Sequence, residues 1–92
     1  MQINLYATFR LIAGAKTLDL SLPEGTTVRQ AVHAVVEAHP VLRRHWLDDQ
    51  GEIRAHVHIF INGDEISTLA DGWSTPLQPE DVLDFIPPVA GG

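Results

Sequence analysis

The residues of this chain with the clearest chemical potential are the last two, Gly91 and Gly92. Glycine has no Cβ, so the pair could enter a channel too narrow for a side chain and adopt backbone angles that other residues avoid. The reactive group would then be the α-carboxylate of Gly92. The sequence therefore predicts chemistry carried by the chain end, with catalytic groups supplied by partners and none of its own.

Four residues lead to the glycines, and they are Pro87, Pro88, Val89 and Ala90. The two prolines fix φ and hold the backbone before them extended, so the segment would leave the body in a defined direction. The residues beyond the prolines can span about 13 Å at roughly 3.3 Å per residue. We therefore expect one domain over residues 1–87 and a flexible Gly-Gly tail over residues 88–92.

Composition sets the class of protein. The chain has 92 residues, of which 45% are hydrophobic and 20% charged, and this predicts one ordinary globular domain. It contains no cysteine, which excludes disulfides, a thiolate nucleophile and cysteine-ligated zinc. No apolar run approaches the roughly 18 residues of a membrane span, and the N-terminus lacks a secretory pattern. We expect a cytoplasmic protein with no membrane partner.

Charge is divided unevenly along the chain. Residues 1–54 contain six acids and six bases, whereas residues 55–92 contain six acids and no lysine or arginine. Nucleic-acid binding needs a basic patch against phosphates, so we expect no nucleic-acid partner. Because complementary charge steers association, the acidic part favours a partner with a basic docking surface. The alternative is an acidic surface that only aids solubility.

The elements that must position the chain end follow from hydrophobic periodicity. Apolar residues alternate over Gln2–Phe9 and over residues 17–22, which predicts two paired strands joined by a connector at residues 10–14. Residues 27–30 fit a capping box. The apolar stripe that follows, at i, i+3, i+4, i+7 and i+8, predicts a helix that ends before Pro40.

The second half of the chain returns to strands. A short helical segment after Pro40 is expected to close an open end of the core with Val41, Leu42, Trp46 and Leu47. Alternation then predicts strands at residues 57–61 and 82–86, with Leu77 as a core residue between them. Asn62-Gly63 predicts a type I′ turn into a short strand near residues 65–66.

This order of elements favours the β-grasp, or ubiquitin-like, arrangement. It is an α+β fold with a mixed four- to five-stranded sheet, covered on one face by one main helix plus a short helix. The first and last strands are expected to lie side by side in the middle of that sheet.

Six segments then carry a family resemblance: residues 9–14, 22–28, 39–42, 61–63, 75–77 and 81–92. In this order, with the Gly-Gly end, they resemble the MoaD/ThiS family of ubiquitin-like sulfur carrier proteins over essentially the whole chain. The loop at residues 48–56 and the ending from Pro88 look like members that supply cysteine synthesis, or like small archaeal-type modifiers. The double proline looks more like molybdopterin-synthase small subunits, so the resemblance leaves the acceptor open.

The resemblance implies a reaction cycle on Gly92. In the family, a ubiquitin-activating-type adenylating enzyme uses ATP and Mg²⁺ to convert the terminal carboxylate to an acyl-adenylate. Sulfur from a donor protein replaces AMP and gives a thiocarboxylate, which passes its sulfur to an acceptor synthase. The acceptor would be the molybdopterin synthase large subunit or a cysteine synthase. This chain would bind no cofactor and would be a protein substrate or a synthase's small subunit, not an enzyme.

The same activated carboxyl has a second outcome. If a lysine amine attacks it, the protein becomes a ubiquitin-like covalent modifier attached through Gly92. Lys16 is the only lysine in the chain, so links between copies would be restricted to that side chain.

Alternation also predicts a docking face beside the tail. If the apolar positions of residues 57–61 face the helix, His58 and Phe60 face outward, and so do Asp84 and Ile86 on the last strand. Exposed apolar residues ringed by polar groups often mark an interface. Scattered exposed apolar residues are the alternative.

The remaining candidate residues carry weaker signals. His56 and His58 share a strand face and could reach one ion, but the sequence supplies no third ligand, so we expect no metal site. Trp46 and Trp73 are expected to pack in the core or at its rim.

Overall fold

Five strands form one mixed sheet in the computed structural model, which describes residues 1–88. The strands are β1 (Gln2–Leu5), β2 (Thr17–Asp19), β3 (His58–Ile61), β4 (Asp64–Glu65) and β5 (Val82–Ile86). Their order across the sheet is β2-β1-β5-β3-β4. β5 runs parallel to β1 and antiparallel to β3, so the first and last strands are central neighbours. The β-grasp prediction is confirmed.

The main helix covers one face of the sheet and begins as its capping pattern predicts. α2 (Val28–Ala38) follows Thr27, whose hydroxyl accepts a hydrogen bond from the backbone N–H of Gln30 at 3.2 Å. The side chain of Gln30 accepts one from the backbone N–H of Thr27 at 2.9 Å, which completes the capping box. The five residues of the apolar stripe are all buried: Val28, Ala31, Val32, Val35 and Val36.

Residues 7–13 differ from the prediction. The first strand ends at Leu5, and Ala7–Ala13 forms a helix, α1, where alternation predicted strand and connector. Phe9 is still buried, but it lies on a helical face with Ile12 and Ala13, which also pack against the core. Gly14 ends α1 in the left-handed region at φ 72°, where glycine has no steric cost.

The second strand is also shorter than predicted. β2 covers Thr17–Asp19, and its antiparallel partner is β1, as expected of the two paired strands. Leu20 and Leu22 lie beyond β2, half-buried against the core. The two strands are joined through α1 and not through a short connector.

The segment after α2 is helical, as predicted. A 3₁₀ turn at Pro40–Leu42 leads into α3 (Arg43–Trp46). Leu42, Trp46 and Leu47 are buried and close one end of the core. The prediction was wrong for Val41, which is 54% exposed.

The region between β3 and β5 folds through three tight turns. Asn62 and Gly63 have φ values of 51° and 91°, as a type I′ turn requires. Ile66 does not belong to the short strand but begins a 3₁₀ turn at Ile66–Thr68, and a second 3₁₀ turn covers Gly72–Ser74. Leu77 is fully buried, as predicted. Within residues 1–88, no helix combines the length and apolar character needed to cross a bilayer.

Candidate docking face and tail origin

The strand that leads to the predicted tail is held on both edges and on its inner face. β5 is bonded to β1 on one edge and to β3 on the other, and its Leu83 and Phe85 are fully buried. The backbone N–H of Tyr6 also donates to the carbonyl of Phe85 at 3.2 Å. Pro87 is buried and Pro88 is exposed, so the described chain reaches the surface at the end of this central strand.

Four residues of the predicted tail, among them its reactive end, are Val89, Ala90, Gly91 and Gly92. These lie outside the described residues, and their predicted roles stay predictions. What the structure places is the origin from which they continue, at Pro88.

The four predicted docking residues lie together on the face of the sheet opposite α2. His58 is the register partner of Ile86, and Phe60 is the partner of Asp84. They form a two-by-two block on the central strands, which we call the docking patch. His58 is exposed and the other three are half-exposed. Polar and apolar side chains are therefore both accessible near Pro88, where the tail begins. Their role in docking stays a prediction.

Asp84 is held in the docking patch by a hydrogen-bond network that sequence reasoning missed. Its Oδ1 accepts from the Asn4 side-chain amide at 2.8 Å and from the Tyr6 hydroxyl at 3.4 Å. Asn4 Oδ1 in turn accepts from Thr17 Oγ1 at 3.2 Å and Gln2 Nε2 at 3.0 Å. The sequence does contain a signal for this network, because polar residues alternate on the outward side of the first strand. The parallel pairing of β1 with β5 brings them beside Asp84.

A second carboxylate flanks the aromatic ring of the docking patch. Glu65 on β4 is the register partner of Phe60, on the side opposite Asp84. Its Oε1 lies 3.4 Å from Nδ1 of His58, and both side chains are substantially exposed. Phe60 therefore lies between two carboxylates. A partner surface with an apolar side chain surrounded by basic ones would be complementary to this arrangement.

The other candidate residues are placed as follows. Trp46 is buried and Trp73 is half-buried against the core, which agrees with their predicted packing roles. His56 is exposed beside the docking patch. No group of three or more metal-ligating side chains is found within residues 1–88.

Comparisons with known proteins find relatives that match this chain over its whole length. Small archaeal modifier protein 3 of Haloferax volcanii is 32% identical over 92 residues, which cover 100% of this chain and 98% of that protein. Small archaeal modifier protein 1 of the same organism is 33% identical over 92 residues, covering 100% of both. Its crystal structure superposes with a TM-score of 0.88 at 30% identity, over 99% of this chain and 97% of that chain.

A further structural neighbour carries a different description. A Pyrococcus furiosus protein assigned as molybdopterin converting factor subunit 1 superposes with a TM-score of 0.74 at 26% identity, over 96% of this chain and 95% of that chain. The profile of the ThiS family matches residues 3–92. The chain therefore belongs to the ThiS family, and its resemblance to the ubiquitin-like MoaD/ThiS proteins is confirmed.

Proposed function

We propose that this protein is a sulfur carrier whose Gly92 carboxylate is adenylated and converted to a thiocarboxylate. The sulfur would serve the biosynthesis of a sulfur-containing metabolite, molybdopterin or cysteine. The chain acts as a protein substrate and sulfur donor for partner enzymes. ATP and Mg²⁺ are used at the adenylating partner, and this chain binds neither.

The observation that carries the proposal is the position of the strand before the tail. β5 is hydrogen-bonded on both edges and anchored by two fully buried side chains. A partner could therefore bind the chain beyond Pro88 without unfolding the domain. The exposed face of the same strand holds Asp84 and Ile86 of the docking patch. Partner contact and delivery of the chain end are thereby linked through one rigid element. The family match, which extends through Gly92, supports the same reading.

The chemistry requires activation because a carboxylate is a poor electrophile. The Gly92 carboxylate attacks the α-phosphorus of ATP and releases pyrophosphate, which leaves an acyl-adenylate. A persulfide of the sulfur donor then attacks the acyl carbon and AMP departs, giving an acyl disulfide. A thiol cleaves the S–S bond, becomes oxidised to a disulfide, and leaves the thiocarboxylate on Gly92. That sulfur is the nucleophile toward the acceptor.

Two acceptors fit this proposal, and one comparison favours the first. The Pyrococcus furiosus neighbour is described as a molybdopterin converting factor subunit, which supports a molybdopterin synthase large subunit as partner. A cysteine synthase is the other acceptor. Incubating the thiocarboxylated protein with each host synthase and its substrate, and following loss of the sulfur by mass, separates the two.

The test of the proposal is the intact mass of the protein purified from its host. We expect a population whose mass corresponds to replacement of one oxygen by sulfur, located on the C-terminal peptide. A variant lacking Gly92 should lose that population and keep its thermal stability, because glycine has no side chain to bury. Absence of the sulfur-bearing form after incubation with the host's adenylating enzyme, ATP and a sulfur donor would contradict the proposal.

A second function uses the same activated carboxyl. Two relatives that match over the whole chain are described as small archaeal modifier proteins, which favours covalent attachment through Gly92 to lysines of other proteins. The amine would attack the acyl carbon, form the isopeptide bond, lose a proton and displace AMP. Branched lysine peptides bearing the C-terminal residues of this chain, found by mass spectrometry of host proteins, would establish this product.

A further inference from the structure

An arginine surface lies on the other side of the sheet from the docking patch. It consists of Arg43 and Arg44 on α3, Arg54 beyond it, and the exposed Val41, and we call it the arginine face. These side chains line one open hollow of about 470 Å³. The three arginines are half of the lysines and arginines in a chain of net charge −6. Their convergence is therefore at odds with the acidic character of the rest of the molecule.

The three guanidinium groups are not consumed by internal ion pairs. Among the described residues, none of them has a carboxylate within salt-bridge distance, whereas Arg29 pairs with Glu52 at 2.9 Å. The nearby Asp48 is committed elsewhere, because its Oδ1 accepts from the backbone N–H groups of Gln50 and Glu52 at 2.9 and 3.0 Å. Asp49, which also lines the hollow, is exposed. Three arginines against two aspartates leave the lining of the hollow with a net charge of +1, and the guanidinium groups have no ion pair among the described residues.

The backbone that carries the arginines is tied to the core and to the last strand. Nε of Arg54 donates to the carbonyl of Arg44 at 3.0 Å, and the backbone N–H of Arg54 donates to the carbonyl of Trp46 at 2.8 Å. Trp46 stacks on Phe85, with ring centroids 4.2 Å apart, and Phe85 is three residues before Pro88. The segment that carries the arginines is thereby packed, through Trp46, against the strand that ends before Pro88.

We propose that the arginine face docks an acidic surface on the adenylating partner, with Val41 covered by an apolar side chain at its edge. This inference rests on the proposed function and adds the charge of the partner's surface to it. The docking patch carries Asp84 and the arginine face carries the opposite charge on the other side of the same strand. Opposite charges on two sides define one docking orientation, because the reversed orientation sets like charges against each other.

The test compares two double variants with the same change in net charge. Arg43→Gln with Arg44→Gln alters the arginine face, and Ser21→Glu with Gln78→Glu lowers the net charge equally at exposed positions near the starts of β1 and β5, away from Pro88. ATP–pyrophosphate exchange by the host's adenylating enzyme is measured against carrier concentration, after thermal melts have established that both variants fold. We expect the KM for the first variant to rise about tenfold with kcat unchanged, and for the control to change less than about twofold, as for loss of steering charges.

Salt provides a second readout. The KM of the natural protein should rise with NaCl concentration, and that dependence should weaken in the Arg43→Gln, Arg44→Gln variant. Equal KM values for the natural protein and this variant overturn the arginine proposal while leaving the proposed function intact. An effect confined to self-association, or to transfer to the acceptor synthase, overturns it in favour of that other partner. Failure of the natural protein to support exchange overturns the proposed function itself.

Discussion

Trp46 is the side chain on which one end of the core closes. It is fully buried, stacks on Phe85 at a centroid distance of 4.2 Å, and meets the edge of Phe9 at 5.5 Å. Its Nε1 is buried without a hydrogen-bond partner among the described residues. The indole thus supplies a large apolar surface and also carries the cost of one unsatisfied donor, which is of the order of 1–3 kcal/mol.

Two substitutions separate these contributions. Trp46→Ala should lower the free energy of unfolding by about 3–5 kcal/mol, since it empties the space beneath both rings. Trp46→Phe should cost less than half as much, because it keeps an aromatic stack and removes the unpaired N–H. Urea denaturation followed by circular dichroism measures both. Equal losses for the two variants would show that stacking on Phe85 contributes little.

Lys16 is the residue that decides whether copies of the protein can be linked to one another. It is exposed and is the only lysine, while the N-terminal amine of Met1 donates to the carbonyl of Leu20 at 2.8 Å and to Asp19 at 3.3 Å. The α-amine is therefore held within the fold. If copies of the protein become linked to one another, Lys16→Arg should abolish these links. Adenylation of the Gly92 carboxylate should be unchanged in this variant. Immunoblots of the tagged protein from its host give the answer, and ladders that persist would point to the N-terminal amine.

At the scale of elements, the turn between β3 and β4 depends on glycine. Gly63 has φ 91°, and a Cβ placed there would meet nothing within 4 Å. The cost of Gly63→Ala is thus conformational, and we expect about 1–2 kcal/mol lost from the free energy of unfolding. Gly63→Asn should lose less than half of that, because asparagine tolerates a positive φ. Thermal melts of the two variants provide the comparison. Identical losses of stability would show that the cost comes from the added side chain and not from the positive φ.

The helix at residues 7–13 shows what periodicity could not decide. Phe9, Ile12 and Ala13 recur at i, i+3 and i+4, so the segment satisfies a helical stripe as well as it extends the alternation begun by Ile3 and Leu5. Tertiary packing selects the helix, because α1 lies against the 3₁₀ turn at residues 40–42 and against β5. Neither neighbour is adjacent to α1 in sequence, so this choice could not be made from local pattern.

By contrast, β3, α2 and β5 were predictable because each has one burial pattern. Inward and outward positions of β3 and β5 follow the two-residue period, and this placed the four residues of the docking patch on one face. The carboxamide of Asn4 beneath Asp84 was not found, since it depends on the parallel register of two strands far apart in the chain. The alternation of apolar and polar residues shows which face of the sheet a side chain occupies, whereas its neighbours on adjacent strands depend on the strand register.

At the scale of the whole molecule, charge and apolar surface are arranged around the last strand. The docking patch presents Phe60 between Asp84 and Glu65, and the arginine face lies on the other side of β5. The described chain therefore ends, at Pro88, just beyond a fully paired central strand that has the docking patch on one side and the arginine face on the other. This arrangement favours recognition of the folded domain and the chain end by the same partner.

The docking patch then makes the last prediction. Phe60→Ser with Ile86→Ser should raise the KM of the adenylating enzyme for this protein by about tenfold or more, because removing apolar anchors at an interface centre typically costs over about 1 kcal/mol each. Both side chains are only half-buried, so the domain should still fold. Leu11→Ser, at an 80% exposed position on α1, removes apolar surface away from the sheet and should leave KM unchanged. If the Leu11 variant and the double variant behave alike, or if the double variant lowers kcat without raising KM, the outer sheet face is not where the partner binds.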